Sequence, residues 1–147
     1  MQYKEILSYF ETDEGITKLL EVLTENFFNP IDDYSAQLIQ DVVKSKEELR
    51  EAKTRLAGMI GMLNVIYSKA LSLKKQKEYR YYVQKKEECE KNGTKFVDGA
   101  TEKESKDYVR NYRDVRDLLF GYIKSAESSL FDCKDNLERL DREMPEK

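Results

Sequence analysis

Apolar positions recur by threes and fours through most of the chain, a period that predicts helices. The longest such stretch runs from Tyr34 to Lys91. Leu38, Val42, Ser45, Leu49, Ala52, Leu56, Met59, Leu63, Ile66, Ala70 and Leu73 alternate by four and three in it. That spacing keeps one stripe facing a partner helix. The stretch holds no proline, and its only glycines are Gly58 and Gly61. Read as one helix over residues 33–91, it predicts a spine about 87 Å long at about 1.5 Å per residue.

Shorter elements flank the spine. Tyr3, Ile6, Leu7, Tyr9 and Phe10 suggest a short helix or an apolar arm. Thr12 or Asp13 suits an N-cap, because its side-chain oxygen accepts from an unpaired backbone N–H. Ile16, Leu19, Leu20, Leu23 and Phe27 then form one helical face. Asn29-Pro30 is expected to stop that helix, and Asp32 or Asp33 to cap the spine. Asn92-Gly93 ends the spine through a left-handed glycine cap. After a loop over 92–101, Thr101-Glu102-Lys103-Glu104 reads as a capping box opening a return helix over 102–143. Its seam is Tyr108, Tyr112, Val115, Leu119, Tyr122, Ala126, Leu130, Cys133, Leu137 and Leu140, with a stutter at Tyr122, Ala126 and Leu130.

The expected fold is all-α, a single domain over residues 1–147. It is a long antiparallel helical hairpin, coiled-coil-like, with the N-terminal segment 1–28 packed at its base. Pairing outward from the loop sets Cys133 near Ile60 and leaves Tyr34 to Lys46 for the helix from Asp13 to Phe28 to cover. Between Leu56 and Leu73 the spine is apolar nearly all round, and Gly58 and Gly61 there suit close helix approach. Ile39, Val43, Ile60, Val65, Leu71, Phe120, Ile123 and Phe131 lie off the main seam. Contiguous exposed apolar patches are uncommon on monomers, so a homo-oligomer is expected.

Composition narrows the chemistry. Charged residues are 37% and hydrophobic residues 39%, with two prolines, which suits a helical rod. No stretch approaches about 20 uninterrupted apolar residues, and no signal-peptide layout opens the chain. A soluble, cytoplasmic protein with no membrane partner is expected. Histidine is absent, which removes the commonest general base and transition-metal ligand. Cys89 and Cys133 belong to no CxxC pair. Cys133 reads as a small core residue, and Cys89 has no identified base beside it. Glu87, Glu88 and Glu90, with Asp132 and Asp135, are the densest carboxylates, but a di-iron bundle would use Glu-x-x-His. Neither an enzyme, a metal nor a cofactor is expected.

The net charge of −3 divides unevenly. Residues 69–116 hold 14 Lys plus Arg against 9 Asp plus Glu, a net of +5, so the remainder carries −8. Lys74, Lys75, Lys77, Arg80, Lys85 and Lys86 come from the end of the spine. Lys103, Lys106, Arg110 and Arg113 come from the return helix at spacings of three and four. Tyr79, Tyr81 and Tyr82 interleave with the first set, Tyr108 and Tyr112 with the second. Cations that neutralise phosphates, beside rings on which bases stack, are what a single-strand binder uses. The same lysines also suit a solvated helix face with partners such as Glu78, Glu87, Asp107 and Asp114, or an anionic membrane surface. The acidic stretch Glu127 to Glu146 suits a solvated face or a docking surface for a basic partner.

In organisation the chain resembles the phage recombination mediator family of UvsY. What matches is the long helix entering Lys74 to Lys86 with Tyr81-Tyr82, a glycine-containing loop, and a return helix running through Leu118-Leu119-Phe120 to Leu137-Glu138-Arg139-Leu140. The resemblance implies an all-helical, oligomeric, single-stranded-DNA-binding protein. It also implies a recombinase or a single-strand-binding protein as partner. It carries over no individual contact residue. A coiled-coil scaffold for protein partners, or a host-directed inhibitor, is the alternative reading.

Overall fold

The computed structural model describes residues 2–39 and 45–143, and every regular element among them is helical. In chain order these are α1 (Tyr3–Ser8), α2 (Asp13–Leu23), α3 (Asn29–Ile39), α4 (Lys46–Asn92), α5 (Asp98–Tyr108) and α6 (Arg110–Glu143). A 3-10 turn, Tyr9–Glu11, joins α1 to α2, and a π-turn, Thr24–Phe28, joins α2 to α3. The fold class is all-α.

The spine is α4, 47 residues and about 70 Å long, shorter than the expected span. Ser45 is extended (φ −65°, ψ 158°), and its hydroxyl accepts from the Glu48 N–H at 3.2 Å. A helix begins there because that oxygen satisfies one of the orphan donors of the first turn. Ser45 is therefore a cap and not a seam residue, and Asp32 and Asp33 lie inside α3. Val42 and Val43, expected on and beside the seam, lie outside the described residues. At the far end Gly93 takes φ 65°, and its N–H donates to the Cys89 carbonyl.

Pro30 does not stop the helical path. Proline lacks an N–H and crowds the carbonyl one turn back. The wider π-turn just before it relieves that crowding, with the Asn29 N–H reaching back to the Thr24 carbonyl. The same turn lets the consecutive Phe27 and Phe28 both be buried. Phe28 lies flat on Tyr122, ring centroids 4.0 Å apart and 9° between planes. At the start of α2, the Thr12 hydroxyl accepts from Gly15 N at 2.9 Å.

The return segment differs from the sequence expectation in two ways. It starts at Asp98, so Thr101 and Glu104 sit inside α5 and form no capping box. The Thr101 hydroxyl instead donates to the Val97 carbonyl at 2.8 Å. The helix is also broken at Val109 (φ −99°, ψ 17°), a fully buried residue between α5 and α6. The earlier start shifts the pairing of α4 with α6. Lys46 pairs with Asp141 at 3.0 Å, Tyr67 meets Phe120, and Lys77 lies over Tyr112. Numbers rise along α4 as they fall along α6, so the two helices are antiparallel. That register brings Cys133 level with Thr54 and not Ile60.

The core lies between these helices. Leu49, Ala52, Leu56, Leu63, Ile66 and Ala70 of α4 are buried against Tyr112, Val115, Leu119, Ile123, Ala126, Cys133, Leu137 and Leu140 of α6. Each fully buried Leu or Ile side chain contributes about 1.5–3 kcal/mol. Ile123, expected off the seam, is part of this core, whereas Tyr108, expected on it, is 61% exposed.

Because α6 already reaches Lys46 through Asp141, α4 has no uncovered base among the described residues for the N-terminal helices to fill. They pack on the middle of the pair. The Tyr122 hydroxyl donates to Asp32 at 2.9 Å, and Ser35 lies 2.8 Å from Ser129 and 3.4 Å from Ser125. Arg55 of α4 donates to the Tyr34 hydroxyl at 3.4 Å.

Candidate nucleic-acid interface

The N-terminal layer reaches along α4 to Lys77, which lines a cleft with Leu7, Phe10 and Glu11; further out the tip is built from α4, α5 and the turn between them. Helix geometry divides its cations into two groups. Lys74, Lys77 and Lys85 share the stripe of α4 that carries Tyr81 and faces the return segment. Lys74 pairs with Glu78 at 3.4 Å, Lys85 with Glu88 at 3.7 Å. Lys77 sits 4.8 Å from the Tyr112 ring centroid, and Lys85 5.6 Å from that of Tyr81. These three are engaged within the chain.

Lys75, Arg80, Lys86, Lys103, Lys106 and Arg110 are exposed and Arg113 is half-buried. None of the seven makes an ion pair among the described residues. They do not form one sheet of charge. Arg80 lies five residues from Lys75, about 140° around the helix. The break at Val109 also divides Lys103 and Lys106 on α5 from Arg110 and Arg113 on α6. The tip is thus ringed by cations on several sides.

The tyrosines divide in the same way. The Tyr81 ring stacks on Tyr108 with centroids 4.8 Å apart, and its hydroxyl donates to Glu104 at 3.3 Å. Tyr82 donates to Asp98 and meets Phe96 edge-on at 5.4 Å. The hydrogen bond to Asp98, followed by desolvation, pushes the Tyr82 hydroxyl above its usual range. Tyr81 and Tyr82 therefore clamp α5 and the turn onto α4. The rings left open are Tyr79, 69% exposed, and the outer side of Tyr108.

Tyr79 borders an open cleft of about 380 Å³, lined by Lys75, Glu78, Tyr79, Tyr82, Glu102, Ser105 and Lys106. Here Lys75 and Lys106 are brought together from two helices. Glu78, Glu102 and Ser105 were not legible as cleft residues, because the shifted start of α5 decides which of its sides faces α4. Their two carboxylates make the cleft mixed in charge. Among the described residues no group of three or more His, Cys, Asp and Glu side chains is placed to hold a metal ion. Cys133 is buried and Cys89 half-buried.

The spine also holds an 18-residue window apolar enough, by length and composition alone, to cross a membrane, although it is not an uninterrupted apolar run. Alongside that window α6 carries Arg116, Asp117, Lys124 and Glu127. Each charge at a bilayer centre costs about 2.5–3.5 kcal/mol on insertion scales.

No family model matches the chain, and no curated protein and no solved structure matches it.

Proposed function

We propose that the chain is a non-enzymatic accessory protein that binds single-stranded nucleic acid at the helical tip. The carrying observation is the ring of exposed, ion-pair-free cations (Lys75, Arg80, Lys86, Lys103, Lys106, Arg110) beside the open face of Tyr79. Phosphates exchange their counterions for such side chains, and a ring open on one face accepts a base without regard to sequence. In this reading Lys74, Lys77, Lys85, Tyr81 and Tyr82 shape the tip, and the outer cations make the contacts. α4 with α5 and α6 acts as one antiparallel hairpin with a coiled-coil-like seam, and the chain works as a homo-oligomer. Repetition of a weak site then raises avidity without new contacts. The resemblance to recombination mediators supports DNA as the strand, and a recombinase or single-strand-binding protein as the partner of the acidic remainder.

A second reading, a scaffold for protein partners, draws on Glu78 and Glu102, which dilute the positive charge of the cleft. Fluorescence anisotropy of labelled single-stranded DNA at two salt concentrations, with duplex as competitor, separates the two. Salt-sensitive binding that prefers single strands supports the first. Absence of binding at low salt by a folded protein leaves the second.

A further inference from the structure

The chain exposes 9952 Å² of surface. Surface–mass scaling gives a folded monomer of this mass about 7,900 Å², so the excess is about 2,000 Å². A stable interface takes about 800 Å² from each partner. A long pair of helices carries such an excess through its shape, and its flank has room for an interface of that size.

Where it lies follows from α6. Tyr122 faces the N-terminal layer, stacked on Phe28 and bonded to Asp32. Phe120 is two residues earlier, about 200° around the helix, and so points the opposite way. It meets Tyr67 of α4, ring centroids 6.1 Å apart. Phe131 is three turns further along on the side of Phe120, and Ser129, two residues before it, faces α3 through Ser35. Phe120 is 50% exposed and Phe131 69% exposed. Ile60, Tyr67 and Leu71 of α4 are half-buried and recur at helical spacing on the same side. One side of the α4–α6 pair is therefore closed by α1–α3, and among the described residues the other carries an apolar strip that nothing covers.

The charges on that side indicate what covers it. Lys124 and Glu127 pair with each other at 3.4 Å, and Lys124 also lies 5.5 Å from the Phe120 ring centroid. The middle of the face is electrically balanced. It suits an apolar protein surface better than a polyanion or an anionic bilayer. It also carries both protruding rings and, beside them, the half-buried strip Ile60, Tyr67 and Leu71 against which a second pair of rings can pack, the self-complementarity of a two-fold contact.

We propose that this open α4–α6 face binds the same face of a second copy of the chain, with Phe120 and Phe131 of each packed on the Ile60, Tyr67 and Leu71 strip of the other. The proposal rests on the assembly part of the function above and is independent of nucleic acid. The test is sedimentation velocity at micromolar concentration on the full chain, on Phe131→Glu and on the double variant Phe120→Glu/Phe131→Glu. The full chain sediments at twice 17.4 kDa or more. The double variant sediments at 17.4 kDa with unchanged helical circular dichroism, its self-association weakened by about 100-fold, as expected for paired aromatic anchors. Phe131→Glu lies on an exposed position and weakens association without touching the monomer core. Val97→Glu, an exposed apolar site on the tip turn, leaves the mass as it was. A folded full chain of 17.4 kDa overturns the proposal, as does a double variant that keeps the full assembly. So does a monomer that instead co-sediments with phosphatidylcholine or phosphatidylglycerol vesicles. An assembly that forms as described yet ignores DNA defeats the nucleic-acid reading alone.

Discussion

The Tyr112 hydroxyl donates to the Phe10 carbonyl oxygen at 2.9 Å, a buried bond between residues 102 positions apart. Phe10 and Tyr112 also face each other as stacked rings, centroids 6.5 Å apart. This contact fixes the height at which the N-terminal layer sits on the long pair. Tyr112→Phe keeps the ring and removes the donor, leaving a buried carbonyl unsatisfied. A loss of about 1–2 kcal/mol is expected, read as a lower midpoint in thermal unfolding followed by circular dichroism. An unchanged midpoint would show that the carbonyl finds water.

Glycines at three positions should respond in three ways to alanine. At Gly15 an added Cβ meets the Tyr9 carbonyl, and Gly15→Ala is expected to cost about 1–3 kcal/mol as an overpacked site. Gly93→Ala forces a left-handed conformation on a residue with a side chain, at about 1 kcal/mol. Gly61 has nothing within 4 Å of its would-be Cβ. Gly61→Ala is expected to stabilise α4 by about 0.8–1 kcal/mol through helix propensity. Urea denaturation of the three variants gives the order directly. A destabilised Gly61→Ala would place a neighbour against that site.

Stability at alkaline pH should depend on Tyr82. The bond to Asp98 raises its folded-state pKa above the ordinary value, so the contribution is complete below about pH 10. It is lost as the pH climbs through the raised pKa. Desolvation, with the bond to Asp32, acts in the same direction on Tyr122. Tyr82→Phe and Tyr122→Phe should each remove part of the alkaline transition in a pH titration of folded fraction. A transition identical to that of the parent in both variants contradicts the assignment.

Salt dependence separates working cations from structural ones. Each phosphate contact on a single strand contributes about 0.7 to the slope of log K against log salt. Lys75→Ala with Lys106→Ala, or Arg110→Ala with Arg113→Ala, should flatten that slope accordingly with assembly intact. Lys74→Ala removes a lysine already paired with Glu78 and should leave the slope unchanged. Equal effects from both groups would mean that the tip acts only through its overall field.

The seam of α4 was legible because Leu49, Leu56, Leu63 and Ala70 repeat without interruption and are all buried. So was its end, since only glycine takes φ 65° at low cost. The start was hidden by the same regularity. Ser45-Lys46-Glu47-Glu48 holds an S-x-x-E helix-start signal, yet Ser45 also fits the heptad spacing that runs on from Leu38. Pro30 misled in the other direction, because a π-turn upstream can absorb the clash that proline creates. The break at Val109 has no glycine, proline or capping residue to announce it. At the tip, composition gave the cations and the rings. It could not tell which of them the chain spends on itself, since that depends on the pairing register of two helices.

The buried residues of α5 are Thr101 and Ser105, both hydroxyl-bearing, and the helix buries no apolar side chain of its own. Little hydrophobic free energy therefore couples it to the rest, and its attachment rests largely on polar and ring contacts. Regions held in this way open locally at free energies below that of global unfolding. In the proposed function, the end of the molecule that would meet a strand is thus a semi-autonomous flap on a rigid mast, able to detach and re-seat while the long pair stays folded.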